Sequence, residues 1–237
     1  MVRQGIKNLF EKFGIYFSRQ PKKYDNLISN IRNNLVDSSK VLHIGAHFGQ
    51  EIGYYKKLKC TVIWVEANPQ VFQVLKNNLR KIDNQTGFLA LLGDKHNYKT
   101  KFYLANNQNA SSSIYNFGKD ISLKNLEMTG TLYLDMKRLD KIFNKKKIKD
   151  YNHWVVDVQG AELDVFKGAG ELLNLPTSIE VEVSTREEYL GGAKYRELKD
   201  FLRDFGFLPL WDPDDNSHGN IIFVKSRHAI HKSRKSV

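Results

Sequence analysis

The sequence has one cysteine and no long apolar run, and each shortage excludes a class of protein. Cys60 alone cannot build a disulfide framework or a thiolate zinc site, so we expect a small buried side chain there. No stretch approaches eighteen apolar residues, so the sequence predicts no transmembrane helix. The N-terminal segment lacks the apolar region and cleavage site of a secretory signal. A cytoplasmic location is the resulting expectation.

What is present suffices for one globular domain whose charge is unevenly placed. The chain has 237 residues, 41% of them hydrophobic, and a formal net charge of +11. Residues 1–40 carry eight Lys or Arg and three Asp or Glu, and residues 225–237 carry five Lys or Arg and no acid. A nucleic-acid surface needs a basic stripe on the folded domain. The charge therefore favours basic ends that contact an acidic surface or solvent, and no specific nucleic-acid partner is expected.

Residues 2–17 have the apolar spacing of an amphipathic helix. Apolar side chains recur there every three or four positions, and the lysines and arginines lie mostly on the other side. One interpretation is a helix that packs on the domain or on a sister subunit. The other is a helix that lies on a membrane surface and gives the protein a peripheral membrane contact.

Strand-like and helix-like segments alternate along the rest of the chain. Such alternation is typical of βαβ units in a parallel sheet with helices on both faces. A polar, Gly-containing loop joins the last two strands, so we expect the final strand to be antiparallel. The predicted strands cover residues 41–44, 61–65, 87–92, 101–104, 131–134, 153–158, 178–183, 207–211 and 220–224. The predicted helices cover residues 24–35, 50–58, 69–81, 139–143, 162–167 and 194–205, and the lysine run 145–147 is predicted as a solvated loop.

A turn of small residues follows the first predicted strand. The segment VLHIGAHFGQE places Gly45, Ala46 and Gly49 before a helix whose free N–H groups can meet a ligand. The next strand ends in Glu66, followed by Ala67, and an acid there can accept hydrogen bonds from both ribose hydroxyls of an adenosine. The alternative for Glu66 is a surface acid that caps the next helix. The turn lacks one glycine of G-x-G-x-x-G and the chain has no Walker A pattern, so S-adenosylmethionine (SAM) fits better than NAD, ATP or GTP.

Seven segments together resemble the FkbM-type SAM-dependent methyltransferases. In the family's order, over about residues 40–225, they are VLHIGAHFGQE, VIWVEANPQVFQVLKNNL, NASSSIY, LDMKRLD, VVDVQGAELDVFKGAG, IEVEVS and HGNIIFV. The resemblance implies a class I methyltransferase (Rossmann-like) α/β fold, with a seven-stranded, mostly parallel sheet and an antiparallel last strand. It also implies SAM as the cofactor and O-methylation as the reaction, often on a sugar hydroxyl of a natural product or glycan.

The resemblance also implies roles for two residues near the cofactor. His43 stands where the family usually has an acid that orients the methionine part of SAM, so this position departs from the pattern. A neutral histidine there could hydrogen-bond the cofactor or pack as a core residue. Asp94 follows the third predicted strand, where acids of this fold often approach the adenine amine.

On the acceptor side, the resemblance points to a serine run and a histidine. Ser111, Ser112 and Ser113 match the family's serine run and are expected to line the cleft. His218 lies in the family-like HGN segment, in a predicted loop before the last strand, and is a candidate base or binding residue for the acceptor.

The segment VVDVQGAE places two carboxylates across a turn of small residues. Asp157 ends a predicted strand, at the edge where open α/β sheets bind ligands, and an alcohol acceptor needs a base. Glu162 opens the next helix, where it either contacts the acceptor or interacts with the helix dipole. Glu182 is a further candidate on the substrate side. These acids could instead hold a divalent metal, but the sequence fixes no obvious third ligand, so no metal is predicted.

The sequence thus predicts a methyltransferase domain over residues 39–226, an N-terminal helical extension over residues 1–38 and a basic tail over residues 227–237. The leading function is SAM-dependent O-methylation of a sugar, a glycan or a glycosylated small molecule. One alternative is a nucleic-acid methyltransferase, although no N-P-P-[FYW] or D-P-P-[FYW] tetrapeptide occurs. The other is a non-catalytic protein with a degenerate cofactor pocket, which only His43 favours.

Overall fold

The computed structural model describes residues 25–37, 39–121 and 125–226. The helices are α1 (Asp25–Val36), α2 (Ile52–Lys57), α3 (Pro69–Leu79), α4 (Leu139–Ile142), α5 (Lys145–Ile148), α6 (Glu162–Ala169) and α7 (Tyr195–Asp204), with a 3-10 helix over Gly170–Asn174. The strands are β1 (Lys40–Ile44), β2 (Thr61–Glu66), β3 (Gln85–Leu89), β4 (Leu91–Leu92), β5 (Tyr98–Ala105), β6 (Met128–Lys137), β7 (His153–Val156), β8 (Ser178–Ser184), β9 (Phe207–Pro209) and β10 (His218–Lys225).

Seven strands form the central sheet, in the order β3-β2-β1-β7-β8-β10-β9. The pairs from β3 to β8 are parallel, and β10 runs antiparallel to both of its neighbours, β8 and β9. The predicted fold class and the antiparallel last strand are therefore confirmed. The chain leaves β1 toward β2 on one side and returns to β7 on the other. This reversal creates a switch point between the carboxyl ends of β1 and β7, where sheets of this kind bind ligands.

The two faces of the sheet differ in polarity. On one face Leu42, Trp154 and Val181 are buried in a single apolar cluster with side chains from α4 to α7. On the other face α1, α2 and α3 cover the β1–β2 half, where Val36 and Leu75 belong to a second apolar cluster. Helices thus lie on both faces, as predicted, but the second cluster does not continue across β8 and β10.

The β8–β10 half of that second face is polar. In β8, SIEVEVS alternates polar and apolar residues, and the register places Glu180 beside Val155 of β7 and Glu182 opposite Asn220 of β10. Strands of a parallel sheet that is covered on both faces usually read as continuous apolar runs. Glu180 is nevertheless only 3% exposed. The face from β7 to β10, which we call the polar face, is therefore a polar surface inside the protein.

The third predicted strand, 87–92, is two strands in the structure, because the backbone divides at Ala90. β3 forms one edge of the seven-stranded sheet, whereas β4 pairs with β6 in a second sheet of three strands, ordered β4-β6-β5. The Ala90 N–H donates to the Glu66 carbonyl at 2.9 Å before the chain leaves for the second sheet. A continuous apolar run carries no signal for such a change of sheet.

Two local predictions also need correction. The run 145–147 forms the short helix α5 rather than a loop, because the Asn144 side chain accepts a hydrogen bond from the Lys147 N–H and caps the helix. The three lysines are exposed, as expected. His218 is not in a loop: it is the first residue of β10, which begins two residues earlier than predicted.

Other expectations about the core and the chain ends can be compared directly. Trp64 and Trp154 are fully buried in their strands, and Cys60 is 3% exposed, as predicted. No helix among the described residues is both long enough and apolar enough to cross a membrane. The predicted helix over residues 2–17 and the basic tail over residues 227–237 lie outside the described residues.

Candidate functional site

A cavity of about 930 Å³ lies at the carboxyl ends of β1, β2 and β7 and extends along the polar face toward α1. It includes the switch point between β1 and β7, so its position fits a ligand site of an open α/β sheet. Ten residues predicted for the site line this cavity: His43, Gly45, Ala46, Glu66, Ala67, Ser111, Ser112, Asp157, Glu182 and His218.

Four predicted residues do not line the cavity. A Cβ on Gly49 would press on side chains of α2 and α3, so this glycine serves helix packing. The backbone oxygen of Asp94 accepts a hydrogen bond from Arg138 at 3.1 Å, away from the cavity wall. Ser113 pairs with Tyr103 through backbone hydrogen bonds. The fourth residue is Glu162, which supports the turn beside Asp157.

The turn after β1 requires glycine at its first position. Gly45 has φ +87°, and a Cβ there would lie 1.6 Å from the carbonyl oxygen of Asp157. The N–H groups of Gly45 and Ala46 both donate to the carbonyl of Val65. The strand ends of β1, β2 and β7 therefore meet closely, and this contact forms the floor of the cavity at the switch point.

Glu66 offers a carboxylate suited to a ribose. Its Oε2 accepts the His47 N–H at 2.9 Å and its Oε1 accepts the Asn68 N–H at 2.7 Å. A carboxylate has about four acceptor positions, so these two bonds leave capacity for a pair of hydroxyls. Burial raises the pKa of Glu66, and the backbone donors oppose that rise. Glu66 is 7% exposed and Asn68 caps α3, so the alternative of a surface capping acid is wrong.

His43 packs as a core histidine in the cavity wall. Its Nδ1 lies 3.0 Å from the Tyr55 hydroxyl, and its ring stacks on Trp64 at 4.7 Å between centroids. Burial, followed by the charges of His153 and Arg32, lowers the pKa of His43 to about 3. The ring is therefore neutral near pH 7. Of the two interpretations, these contacts describe the packed residue.

Gln159 joins two carboxylates into an acid pair. Its Nε2 donates to Asp157 Oδ1 at 2.6 Å and to Glu182 Oε2 at 2.5 Å. The Tyr189 hydroxyl donates to Gln159 Oε1 at 2.6 Å, which fixes the amide with its N–H groups toward the acids. The DVQGAE turn and β8 thus hold Asp157 and Glu182 side by side in the cavity wall.

His218 holds Glu182 from the opposite side. Its Nε2 lies 3.0 Å from Glu182 Oε1, and its Nδ1 lies 2.7 Å from Glu188 Oε2. Two carboxylates at these distances favour the charged imidazolium, and its Nε2 is hydrogen-bonded to Glu182. His218 therefore neutralises part of the acid cluster instead of standing free as a base.

The charges in this cluster differ from those of free side chains. Burial, then the nearby Glu182 carboxylate, raises the pKa of Asp157 well above its usual value. Burial also opposes ionisation of Glu182, but the charge of His218 and its hydrogen bond lower the Glu182 pKa overall. Burial lowers the pKa of His218, but Glu182 and Glu188 outweigh it and raise that pKa to about 11. Asp157 therefore binds a proton more tightly than Glu182 does, because burial and the Glu182 charge raise the pKa of Asp157 and His218 lowers that of Glu182.

We expect the free energy of unfolding to fall as the pH rises above about 7, because the folded protein then holds protons that the unfolded chain releases. The folded pKa of His218, about 11, lies above its ordinary value of 6.5. Its stabilisation is therefore complete below pH 6.5 and is lost as the pH rises through 11. Each proton that the folded protein holds in excess of the unfolded chain lowers the free energy of unfolding by up to about 1.4 kcal/mol per pH unit as the pH rises. Urea unfolding at several pH values between pH 7 and pH 10 measures the slope. The salt concentration is held constant, so that the screening of charges is the same at each pH.

The matched variant for this slope is His218→Gln, which keeps a polar side chain but cannot titrate. Its stability should depend less on pH than that of the wild type across the same range. Equal slopes in the two proteins would show that His218 is not the protonated group that the contacts describe.

Glu162 supports the turn rather than facing the cavity. Its Oε1 accepts the backbone N–H groups of Val158 at 3.0 Å and Gly160 at 3.1 Å. Burial, then the charge of Glu182, raises the pKa of Glu162 to about 7. The side chain thus satisfies two backbone donors at the start of α6 and fixes the loop that carries Gln159.

Asp157, Glu162 and Glu182 also form a group that could hold a metal ion. One carboxylate oxygen of each residue lies within 4.8 Å of one oxygen of the other two. This grouping is the one considered from the sequence as an alternative that could hold a divalent metal. In the described structure Gln159 donates to Asp157 and Glu182, and backbone N–H groups donate to Glu162. A cation at this position would compete with those donors.

Five residues of the site were not assigned a role from the sequence. Gln159 lies within a quoted motif, but an amide gives no local signal that it will join two acids. Glu180 could have been found from the polar–apolar alternation of β8. Arg32, Glu188 and Tyr189 reach the cavity from α1 and from the segment after β8, which no short sequence pattern reveals.

Comparison with known proteins gives one family and several distant structures. The family described as the Methyltransferase FkbM domain matches residues 43–209. The chain is 25% identical over 174 residues to the 2-O-methyltransferase NoeI of Sinorhizobium fredii, covering 70% of this chain and 71% of that protein. A precorrin-6y C5,15-methyltransferase from Geobacter metallireducens is similar with a TM-score of 0.48 and 13% identity, over 87% of this chain and 90% of the other. The magnesium protoporphyrin IX methyltransferase ChlM from Synechocystis, solved with bound SAM, is similar with a TM-score of 0.48 and 9% identity, over 94% and 91%.

Proposed function

Since this chain belongs to the FkbM methyltransferase family and is a SAM-dependent methyltransferase, we propose that it methylates a hydroxyl group of a sugar, a glycan or a glycosylated small molecule. The observation that carries the proposal is the acid pair in the cavity wall, Asp157 and Glu182, bridged by Gln159. An alcohol becomes a better nucleophile as it gives up its proton. The carboxylate of Asp157, whose pKa burial and Glu182 raise, provides a place for that proton.

The donor set fits the cofactor. Glu66 lines the cavity with free acceptor capacity for two ribose hydroxyls, and the turn of Gly45 and Ala46 lines the same cavity at the switch point. SAM, when bound, supplies an activated sulfonium methyl group and leaves as S-adenosylhomocysteine. The rest of the chemistry falls to the protein, which must orient the acceptor hydroxyl and take its proton.

Each residue of the acid cluster has a distinct part in this proposal. The Asp157 carboxylate takes the proton of the acceptor hydroxyl as the hydroxyl oxygen forms its new bond to the methyl carbon. His218 stabilises the Glu182 charge, and Gln159 keeps the two acids together. Asp157 and Glu182 touch the reacting region in this proposal, and His218, Gln159 and Glu162 act through them as positioning residues.

The acceptor class is supported by the polarity of the cavity and by one relative. NoeI, which is 25% identical over its matched part, is named as a 2-O-methyltransferase. Acids dominate the wall around Asp157, Glu182 and Glu188, which disfavours a polyanionic acceptor such as a nucleic acid. A neutral hydroxylated acceptor meets no such repulsion.

The test is methyl transfer from isotope-labelled SAM by the full-length protein to a panel of acceptors. The panel contains methyl glycosides and short oligosaccharides, a catechol, and an RNA oligomer. We expect label in the saccharides. Transfer only to RNA or only to the catechol would overturn the proposed acceptor class, and no transfer to any member would count against it.

Glu66→Gln should weaken S-adenosylhomocysteine binding by roughly tenfold to a hundredfold. The amide keeps one acceptor oxygen but loses one hydrogen bond from a ribose hydroxyl to a charged carboxylate, which contributes about 1.5–3 kcal/mol. Isothermal titration calorimetry measures the change. Glu171→Gln is the matched control, because Glu171 is exposed on the 3-10 helix outside the cavity. Equal affinity in Glu66→Gln and wild type would remove Glu66 from the cofactor site.

A further inference from the structure

The cavity extends well beyond the part that a nucleoside would fill. From the acid pair it continues along the polar face, past Glu180 to His153 and under Arg32 of α1. His153 lies four residues before Asp157 in the chain, so this lobe runs for about 13 Å along an extended strand. We call it the α1 lobe, the part of the cavity lined by Arg32, His153, Glu180 and Asn220.

His153 presents an unpartnered polar atom to the α1 lobe. The residue is 0% exposed, and its Nδ1 lies 2.8 Å from the Ser178 hydroxyl. Its Nε2 has no hydrogen-bond partner among the described residues, although the side chain lines the cavity. Buried polar atoms are normally paired, because leaving one unpaired costs free energy. The ring nitrogen is therefore a contact point that a polar ligand can satisfy.

Glu180 is the charged centre of the same lobe. Its carboxylate accepts hydrogen bonds from Arg32 Nε at 2.7 Å and from Asn220 Nδ2 at 3.0 Å. The Glu180 side chain is almost fully buried, whereas that of Arg32 is 39% exposed. α1 thus covers the lobe through one ion pair instead of an apolar contact. The wall that results contains both donors and acceptors.

The chemistry of this wall selects a class of ligand. An apolar ligand would leave His153 and Glu180 without additional partners in a dry site, which is unfavourable. A phosphate-rich ligand would meet Glu180 and the acid pair, and among the described residues of the wall only Arg32 and His218 are cations. A neutral polyhydroxylated ligand avoids both costs, since each hydroxyl donates one hydrogen bond and accepts others.

We propose that the α1 lobe binds the sugar ring of the acceptor, with Arg32, His153 and Glu180 as specificity-determining residues that direct one of its hydroxyls toward the acid pair. This inference rests on the proposed O-methyltransferase function and names the part of the protein that selects its substrate. Because the lobe runs from His153 to Asp157, an acceptor that extends along it reaches the group that receives the proton.

Binding is tested without turnover by ligand-observed saturation-transfer NMR on the full-length protein saturated with S-adenosylhomocysteine. The probes are a panel of neutral methyl glycosides, with a ribonucleotide oligomer and a catechol as comparison ligands. We expect signals from at least one glycoside and weaker signals from the comparison ligands. Binding of a comparison ligand without any glycoside, or binding of none, overturns the assignment of the lobe to a sugar.

Variants locate the bound glycoside. Glu180→Gln and Arg32→Gln should each weaken its binding by about tenfold to a hundredfold, because each removes a charge-assisted contact in the lobe. His153→Gln should also weaken binding. Affinity for S-adenosylhomocysteine should stay the same in all three variants. Asp200→Asn is the matched control, since it removes an exposed acid that pairs with Arg203 on α7, outside the cavity.

The outcomes separate this inference from the proposed function. If glycosides are methylated but their affinity is the same in wild type, Glu180→Gln and Arg32→Gln, the function stands and the α1 lobe is not the acceptor site. If a glycoside binds in the lobe but no methyl group is transferred to it, the lobe is a sugar site and the proposed reaction is wrong. Arg32 is partly exposed on α1, so its variant keeps the test valid if Glu180→Gln fails to fold.

Discussion

Asp157→Asn is expected to slow methyl transfer by about a hundredfold to ten-thousandfold, the usual contribution of a positioned proton acceptor. Asparagine keeps the shape of the aspartate side chain and removes its carboxylate. It can still accept the hydrogen bond from Gln159, but it cannot take a proton. S-adenosylhomocysteine affinity should change little, because the ribose contacts belong to Glu66. Initial rates with a saccharide acceptor and a binding isotherm give the two quantities.

The matched control is Asp150→Asn, which removes a carboxylate from an exposed pair with Lys40 outside the cavity. Its rate and stability should equal those of the wild type, since exposed ion pairs contribute little. A near-normal rate in Asp157→Asn, with a normal rate in the control, would remove Asp157 from the reaction. A large loss of S-adenosylhomocysteine affinity would instead move Asp157 to the cofactor side.

Gly45→Ala is expected to destabilise the protein by about 3 kcal/mol or more, which combines overpacking with backbone strain. The added Cβ would lie 1.6 Å from the Asp157 carbonyl oxygen, so either β1 or β7 must shift at its tip. The residue also has φ +87°, a left-handed conformation that disfavours alanine. A domain of this size should then lose roughly 6–12 °C in melting temperature. Whatever protein remains folded should bind S-adenosylhomocysteine poorly, because the shifted strand ends form the cavity floor.

Gly53→Ala makes the same chemical change where the structure has room. Gly53 lies in α2, and a Cβ there meets no atom within 4 Å. Alanine favours the helix over glycine by about 1 kcal/mol, so this variant should be slightly more stable than the wild type. Equal melting temperatures for Gly45→Ala and Gly53→Ala would contradict the close contact between the ends of β1 and β7.

The pattern of apolar residues predicted βαβ units in a parallel sheet because that pattern is local, and the resemblance to the family implied seven strands. Each buried strand and each amphipathic helix shows its own periodicity, and the polar loop before β10 indicated its antiparallel direction. The division at Ala90 was not predictable in this way. There the chain changes sheets inside an apolar run, and the partner of β4 is β6, more than thirty residues later in the chain.

The candidate site divides along the same line. Gly45, Glu66 and Asp157 stand at strand ends next to recognisable turns, so their sequence positions identified them. Gln159 and Tyr189 act through side-chain contacts between residues that are 30 positions apart. The pairing of Glu180 with Arg32 spans 148 positions. Such contacts depend on how whole elements pack, and a single sequence does not contain that information.

Glu162 shows how a correct pattern can lead to the wrong orientation. Its distance from Asp157 across the turn suggested that both carboxylates face a ligand. The turn instead has two backbone N–H groups that need acceptors, and Glu162 satisfies both of them. The acid that joins Asp157 at the cavity wall comes from β8, as Glu182. Because the buried backbone donors of the turn need Glu162 as their acceptor, Glu182 and not Glu162 lies beside Asp157 in the cavity wall.

The most direct measurement of the central claim is the position of the transferred methyl group. The full-length protein is incubated with SAM carrying a ¹³C-labelled methyl group and with the saccharide acceptor, and the product is examined by heteronuclear NMR. The account predicts a methyl signal correlated through oxygen to a sugar ring carbon, and no such product from Asp157→Asn over the same time. A methyl group attached to nitrogen or to an aromatic carbon, or equal product from Asp157→Asn, would contradict it.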